Sequence, residues 1–351
     1  MKTSLKLLTA GFMVFSLAAC VVNAPKSGSS TSSSRAENQA SFDAPDWINN
    51  PPQRNGFAYG VGSGDLWGDK ADAVRRAGDA ARVNLVSQLR VTVSGDFSST
   101  VQERKATGKQ TELVQTVQNT IRSQVPAVEL DEVKVTETYF EKKFAYALAE
   151  LDRVKAASRI RGQISDLEVQ IHSIDQKPRS GTNLQQLRIL LPALKLYAQR
   201  NRLADQLALV GTSRQKPALS EELQQIQSNI YALFNQLQVR ISMTDAGAKD
   251  IASGVIEALT EQGMRINDQG AYDLIIQVSA TLRPVEKNGS HFVFADSRVT
   301  IKDSNQRTLS TFSKQAKGAS GYPDLAKAKA EKSVANMLAN ELAIALVDRI
   351  D

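Results

Sequence analysis

The hydrophobic positions of this chain switch between a period of two and a period near 3.6, and the switches mark its elements. Phe57, Tyr59 and Val61 alternate and predict a strand, which runs into the glycines of GVGSGD. Val74, Ala77, Ala81, Leu85 and Leu89 then form one apolar stripe and predict a helix over 70–89. Val91, Val93 and Phe97 alternate and predict a second strand. Leu113, Val114, Val117 and Ile121 predict a second helix, stopped before Pro126. Two more strands follow at 127–140, with Val133, Val135 and Tyr139 on one face, and at 143–151. In the last, Phe144, Tyr146 and Leu148 face one way and Ala145, Ala147, Ala149 and Leu151 the other. Two apolar faces predict a central strand covered on both sides.

Residues 153–237 show no strand period. Ile160, Ile164, Leu167, Ile171 and Ile174 make a heptad seam, and Leu184, Leu187, Leu191, Leu194 and Ala198 make another. DQKPRSGTN and GTSRQKPALS break the pattern, and Ser220 stands as an N-cap for a third helix through Leu223, Ile226, Ile230 and Leu233. Short breaks between amphipathic helices predict an antiparallel hairpin or small bundle, with the seams internal to it. From 238 the strand period returns. A helix carrying Ile251, Val255 and Leu259 ends at Gly263, and a long strand runs from Leu274 to a turn at Asn288-Gly289. Two further strands and a last helix opened by Pro323 complete the chain.

The fold class is therefore α+β: two layered, sandwich-like domains with mainly antiparallel sheets, at 45–152 and 238–351, joined by the helical segment at 153–237. The first residues read differently. Lys2 and Lys6 precede an apolar run over 7–19, which is shorter than the roughly twenty residues a spanning helix needs. Residues 1–19 have the proportions of a secretory signal peptide. The run ends in Leu17-Ala18-Ala19-Cys20, which is similar to the lipobox of bacterial lipoproteins. That similarity implies cleavage before Cys20 and lipidation of Cys20 with diacylglycerol and an N-acyl chain such as palmitate. Cys20 is the single cysteine of the chain, so the folded part relies on its core and not on disulfides. Residues 20–44, with SGSSTSSSRAENQAS, have no apolar period and form a tether. Several acyl chains on one residue suffice for a stable anchor. Val21 follows the cysteine where Asp favours inner-membrane retention in such lipoproteins, so the outer membrane is the expected address.

Charge sharpens the picture of the middle segment alone. The chain carries a formal +6, and residues 152–235 hold twelve Lys/Arg against seven Asp/Glu. These charges are spread and not clustered, which predicts a solvated helix face; contact with lipid head groups, peptidoglycan or a partner is the other reading.

Candidate chemistry is sparse. The two histidines, His172 on a helix and His291 beside a turn, with no free thiol left, make a poor metal set. Glu129, Asp131 and Glu132 are expected to be solvated. The glycines at 60, 62 and 64 miss the spacing of a dinucleotide fingerprint, and Asp65 and Asp69 would repel a phosphate. The stretch is read instead as a strand leaving its sheet through bare backbone. No catalytic, cofactor or metal site is assigned, and nucleotide and nucleic acid are not expected partners.

In order, the lipobox and tether, PDWINNPP, FAYGVGSGD, AVRRAGDAAR and FAYALAELDR resemble the twenty-kilodalton outer-membrane lipoprotein family over 45–154. Flagellar lipoproteins belong to it. The resemblance implies a non-enzymatic, lipid-anchored protein whose domains lie in the periplasm. The implied role is structural, in assembly or scaffolding of the envelope, with envelope proteins or copies of itself as partners. The domain at 238–351 is loosely similar to α+β domains of lipoproteins that activate cell-wall synthases or form secretion assemblies. That likeness implies the alternative, a regulatory binding module.

Overall fold

A computed structural model describes residues 44–97, 111–125, 132–261 and 263–349. Cys20, the tether, Glu129 and Asp131 lie outside these residues. A single 3-10 turn at Asp46–Ile48 buries Trp47 and packs against the first sheet. That sheet has the order β1-β3-β2, with β1 Phe57–Asp65, β2 Lys134–Phe140 and β3 Phe144–Asp152, all antiparallel. The helix α1, Lys70–Phe97, covers one face.

The strand expected at 91–97 is instead the last part of α1. Val93 and Phe97 are four residues apart, a helical spacing as much as a strand one, and the helix already running simply propagates. β3 is the central strand, as its two apolar faces predicted, but among the described residues only one of those faces lies under a long helix.

The middle segment forms α3 Arg153–Asp175, α4 Asn183–Val210 and α5 Glu221–Gln236. Ser220 caps α5 by accepting from the Leu223 amide at 3.3 Å. Thr182 and Gln185 form a reciprocal capping box on α4. The seam residues Ile160 and Ile164 of α3 pack with Leu203 and Leu207 of α4 in one buried cluster, so the seam closes inside the hairpin.

The second sheet has the order β5-β4-β6-β7-β8. Its strands are β4 Gln238–Met243, β5 Arg265–Ile266, β6 Leu274–Lys287, β7 Ser290–Asp303 and β8 Thr308–Ser320. β4 runs parallel to β5 and β6, and the remaining pairs are antiparallel. Asn288 and Gly289 both take positive φ, 52° and 70°, in the two-residue turn that fits the twist of a hairpin. The one helix expected before Gly263 is two, α6 Ala246–Asp250 and α7 Ala252–Glu261. α8, Pro323–Arg349, crosses β7 and β8 and packs on α7.

The helix α2, Glu112–Gln124, departs most from expectation. Its stripe of Leu113, Val114, Val117 and Ile121 is fully buried, but against α8, α4 and α5 and not on the first sheet. Its N-cap Thr111 donates to Asn235 of α5 at 2.8 Å. The first sheet has three strands, and α1 already occupies its covered face. The stripe of α2 therefore finds its apolar partner elsewhere.

Two buried clusters result. The smaller joins α1, the first sheet, the start of α3 and the end of α4. The larger joins α2, the end of α3 at Ile171, the rest of α4, α5, the second sheet and α6 to α8. α4 runs through both, with Leu184–Tyr197 in one and Leu203–Val210 in the other.

Candidate interaction surface of the first sheet

FAYGVGSGD and FAYALAELD are hydrogen-bonded partners, Phe57 opposite Asp152 and Asp65 opposite Phe144. Residues directly opposite share a face. Gly60, Gly62 and Gly64 therefore lie with Ala149, Ala147 and Ala145, towards α1. A Cβ on Gly62 would stand 2.5 Å from the Ala77 carbonyl oxygen, and one on Gly60 would stand 2.6 Å from the Leu85 amide nitrogen. The strand does not leave the sheet at these glycines. They let the backbone of α1 rest on the backbone of β1, and α1 fills the space they leave.

The opposite face carries the aromatics. Phe57, Tyr59 and Val61 of β1 line up with Tyr146 and Leu148 of β3, and Tyr139 of β2 is opposite Tyr146. Phe57 stacks on Tyr59 at 6.3 Å, and Phe144 meets Tyr146 at 6.2 Å. The Arg54 guanidinium sits 3.9 Å from the Phe57 ring. Leu148, in the middle, is buried, but Phe144 keeps 38% of its surface exposed and the tyrosines are half-buried. Partial burial, and then the neighbouring Glu150, raise the Tyr59 hydroxyl above its ordinary range; burial and then Glu141 do the same for Tyr146. Both remain neutral donors at physiological pH. Among the described residues no long helix lies across this face as α1 lies across the other, although the buried Trp47 turn packs on the sheet.

The basic middle segment is not a plain solvated face. Arg200 is buried, donating to the Pro217 and Ala218 carbonyls and to Glu168 at 2.8 to 3.0 Å. Arg153 donates to the carbonyls of Val210 and Gly211, closing the hairpin. Arg188 reaches Asp303 of the second sheet. Arg159 clasps Glu132, which is therefore not solvated; the guanidinium hydrogen bond holds the Glu132 carboxyl below its usual range. His172 is half-buried, with Nδ1 3.6 Å from a Glu222 carboxylate oxygen. Much of the basic surplus thus serves internal contacts, which spacing on isolated helices does not disclose.

A cleft of about 650 Å³ opens between α2, α4 and α5, lined by Arg122, Tyr197, Asn201, Arg202, Lys216 and Tyr231 among others. Its carboxylate, Asp205, pairs with Lys216 at 2.7 Å. Burial raises the Tyr197 hydroxyl well above its ordinary range and also raises that of Tyr231. Tyr197 donates to the Leu223 carbonyl at 2.6 Å.

Residues 45–152 match the model of the family described as LPP20 lipoprotein. The matched segment contains the first sheet, α1 and α2, and the match bears out the resemblance seen in the sequence. No curated protein matches the chain. Among solved structures, a secreted protein of Helicobacter pylori is 17% identical, covers 83% of this chain and 98% of its own, and has a TM-score of 0.41. A minor lipoprotein of Acinetobacter baumannii is 16% identical over 31% of this chain and 90% of its own, with a TM-score of 0.25. A lipoprotein of Neisseria meningitidis is 10% identical over 30% and 94%, with a TM-score of 0.22. The family match supports a lipoprotein of the cell envelope. No helix among the described residues is long and apolar enough to cross a membrane.

Proposed function

We propose that this chain is anchored in the outer membrane by acyl chains on Cys20 and presents its folded part in the periplasm as a scaffolding or assembly component of the envelope. The observation that carries the reading is the family-matched sheet itself. One face is closed by backbone contact with α1, and the other presents half-exposed aromatic rings and, among the described residues, carries no long helix. A sheet face of that kind is suited to contact with a partner or another copy. Flagellar assemblies are one setting, on the family resemblance. Replacing Cys20 by Ser should move the protein from the outer-membrane fraction to the soluble fraction; unchanged fractionation overturns the anchor.

The cleft between α2, α4 and α5 favours the second reading, a binding module for a cell-wall synthesis or secretion complex. Its Arg122, Arg202 and Lys216 suit an acidic side chain of a partner. Crosslinking in native membranes separates the readings by what is captured: motor or self contacts, or a synthase.

A further inference from the structure

One end of the first sheet gathers the most exposed aromatics among the residues of the family-matched segment whose side chains are described. Trp67, in the link between β1 and α1, is 80% exposed. Phe140 and Phe144, at the two sides of the turn joining β2 to β3, are 42% and 38% exposed. The register brings them to the same end of the sheet, Phe140 opposite Ala145 on the α1 side and Phe144 opposite Asp65 on the other. Asp65 pairs with Phe144, and the Leu66 amide donates to the Lys143 carbonyl at 2.8 Å, so the residue before Trp67 is fastened to the turn. Glu141 and Phe144 exchange backbone hydrogen bonds of 2.9 and 3.2 Å, which makes the turn tight. The Lys70 ammonium stands 5.7 Å from the Phe140 ring. Lys142 and Lys143 occupy the turn itself, exposed.

Single exposed apolar residues are ordinary; three aromatics at one tip, among Lys70, Lys142 and Lys143 and the exposed carboxylates Asp65, Asp69 and Glu141, are not. The other tryptophan, Trp47, is buried. Indole and phenyl rings with adjacent ammonium groups match the head-group region of a bilayer, which takes an aromatic body with a polar edge. Geometry permits the contact. Residues 21–44 separate Cys20 from the folded part and reach at most about 80 Å when extended. β1 has nine residues and spans about 30 Å, so the tip is within reach of an anchored membrane.

We infer that the tip formed by Trp67, Phe140 and Phe144 with Lys70, Lys142 and Lys143 is a second membrane contact, which seats the first sheet module on the head groups of the bilayer. The inference rests on the proposed anchor at Cys20. The test uses the full-length lipidated protein in vesicles containing phosphatidylglycerol, some with brominated acyl chains. The expected result is quenching of tryptophan emission by the brominated lipid and a blue shift, both lost in Trp67→Phe, with Lys142→Glu/Lys143→Glu weakening the quenching. Trp67 is so exposed that its replacement leaves the fold intact, and Trp47 serves as the internal reference. Quenching by aqueous iodide in place of brominated lipid overturns the inference while leaving the anchor standing. Shielding from both quenchers also overturns it, in favour of a protein partner or a second copy. A protein whose mass shows no acyl chains defeats the anchor and this inference with it.

Discussion

The two cores hold helix to sheet in opposite ways. In the smaller, more than half of the buried residues are alanines, and three glycines of β1 face α1. Side chains have been removed until the two backbones touch. In the larger, Leu, Ile, Val and Phe from six helices and the second sheet interlock. Adding atoms should therefore harm the first core, and removing them should harm the second. The open faces differ as well. The second sheet turns Gln277, Ser279, Arg298 and Thr300 outward, and Arg283 pairs with Asp296 at 2.6 Å there. Its rings, Phe292 and Phe294, are capped by the Lys317 ammonium at 4.3 and 5.6 Å, whereas those of the first sheet stand beside one another.

The sharpest way to break this comparison is to delete volume in the large core. Phe234 of α5 is fully buried. Phe234→Ala should cost about 3–5 kcal/mol in urea unfolding, because the cavity it leaves is walled by several elements and cannot collapse. A loss below about 1 kcal/mol would show that the large core is not interlocked.

Next comes the addition of one methyl to the small core. Gly62→Ala should cost roughly 1–3 kcal/mol, although alanine is the better residue for the unfolded-state entropy. The atoms it meets belong to the backbone of α1 and cannot swing away. A neutral result in the same unfolding measurement would mean that α1 stands off β1. Because α4 passes through both cores, Phe234→Ala and Gly62→Ala should each lower one shared transition and not split it.

The smallest effect distinguishes the cores by pH. The small core is clasped from outside by Glu132 and Arg159. Arg159 lowers the folded Glu132 carboxyl below its unfolded value, so the clasp stabilises above the usual glutamate range and fades as pH falls through it. Both groups are partly open to solvent, which limits the contribution to about 1 kcal/mol or less. Glu132→Gln should lower the melting temperature at pH 7 and match the parent near pH 3. An equal deficit at both values would show that packing, not charge, is lost.

Most of the elements were legible in the sequence, for a physical reason that can be seen in α5. Its cap at Ser220 and its stripe at Leu223, Ile226 and Ile230 are local, and local chemistry sets them. The turn at Asn288-Gly289 is likewise decided by two residues that accept positive φ. The end of α1 was not legible, because Val91, Val93 and Phe97 fit either period. The aromatic face was half legible: Phe57 with Tyr59 and Phe144 with Tyr146 alternate visibly. Their union on one face depends on the register that sets Phe57 against Asp152 and Ser63 against Tyr146. The clasps of Arg153, Arg188 and Arg200 gave no sequence signal, since their carbonyl and carboxylate partners come from distant elements or loops.

By itself the sequence determined where most helices and strands lie, that the fold is α+β, and that residues 45–152 carry the marks of a lipoprotein family. An apolar stripe states that a face must be buried; it does not state against what. Tertiary structure alone decided that α2 joins α8 and α5, and that the glycines of β1 admit the backbone of a helix. It also decided which face of the first sheet stays open. Burial is a property of what stands opposite a residue, and what stands opposite is chosen by the whole chain at once.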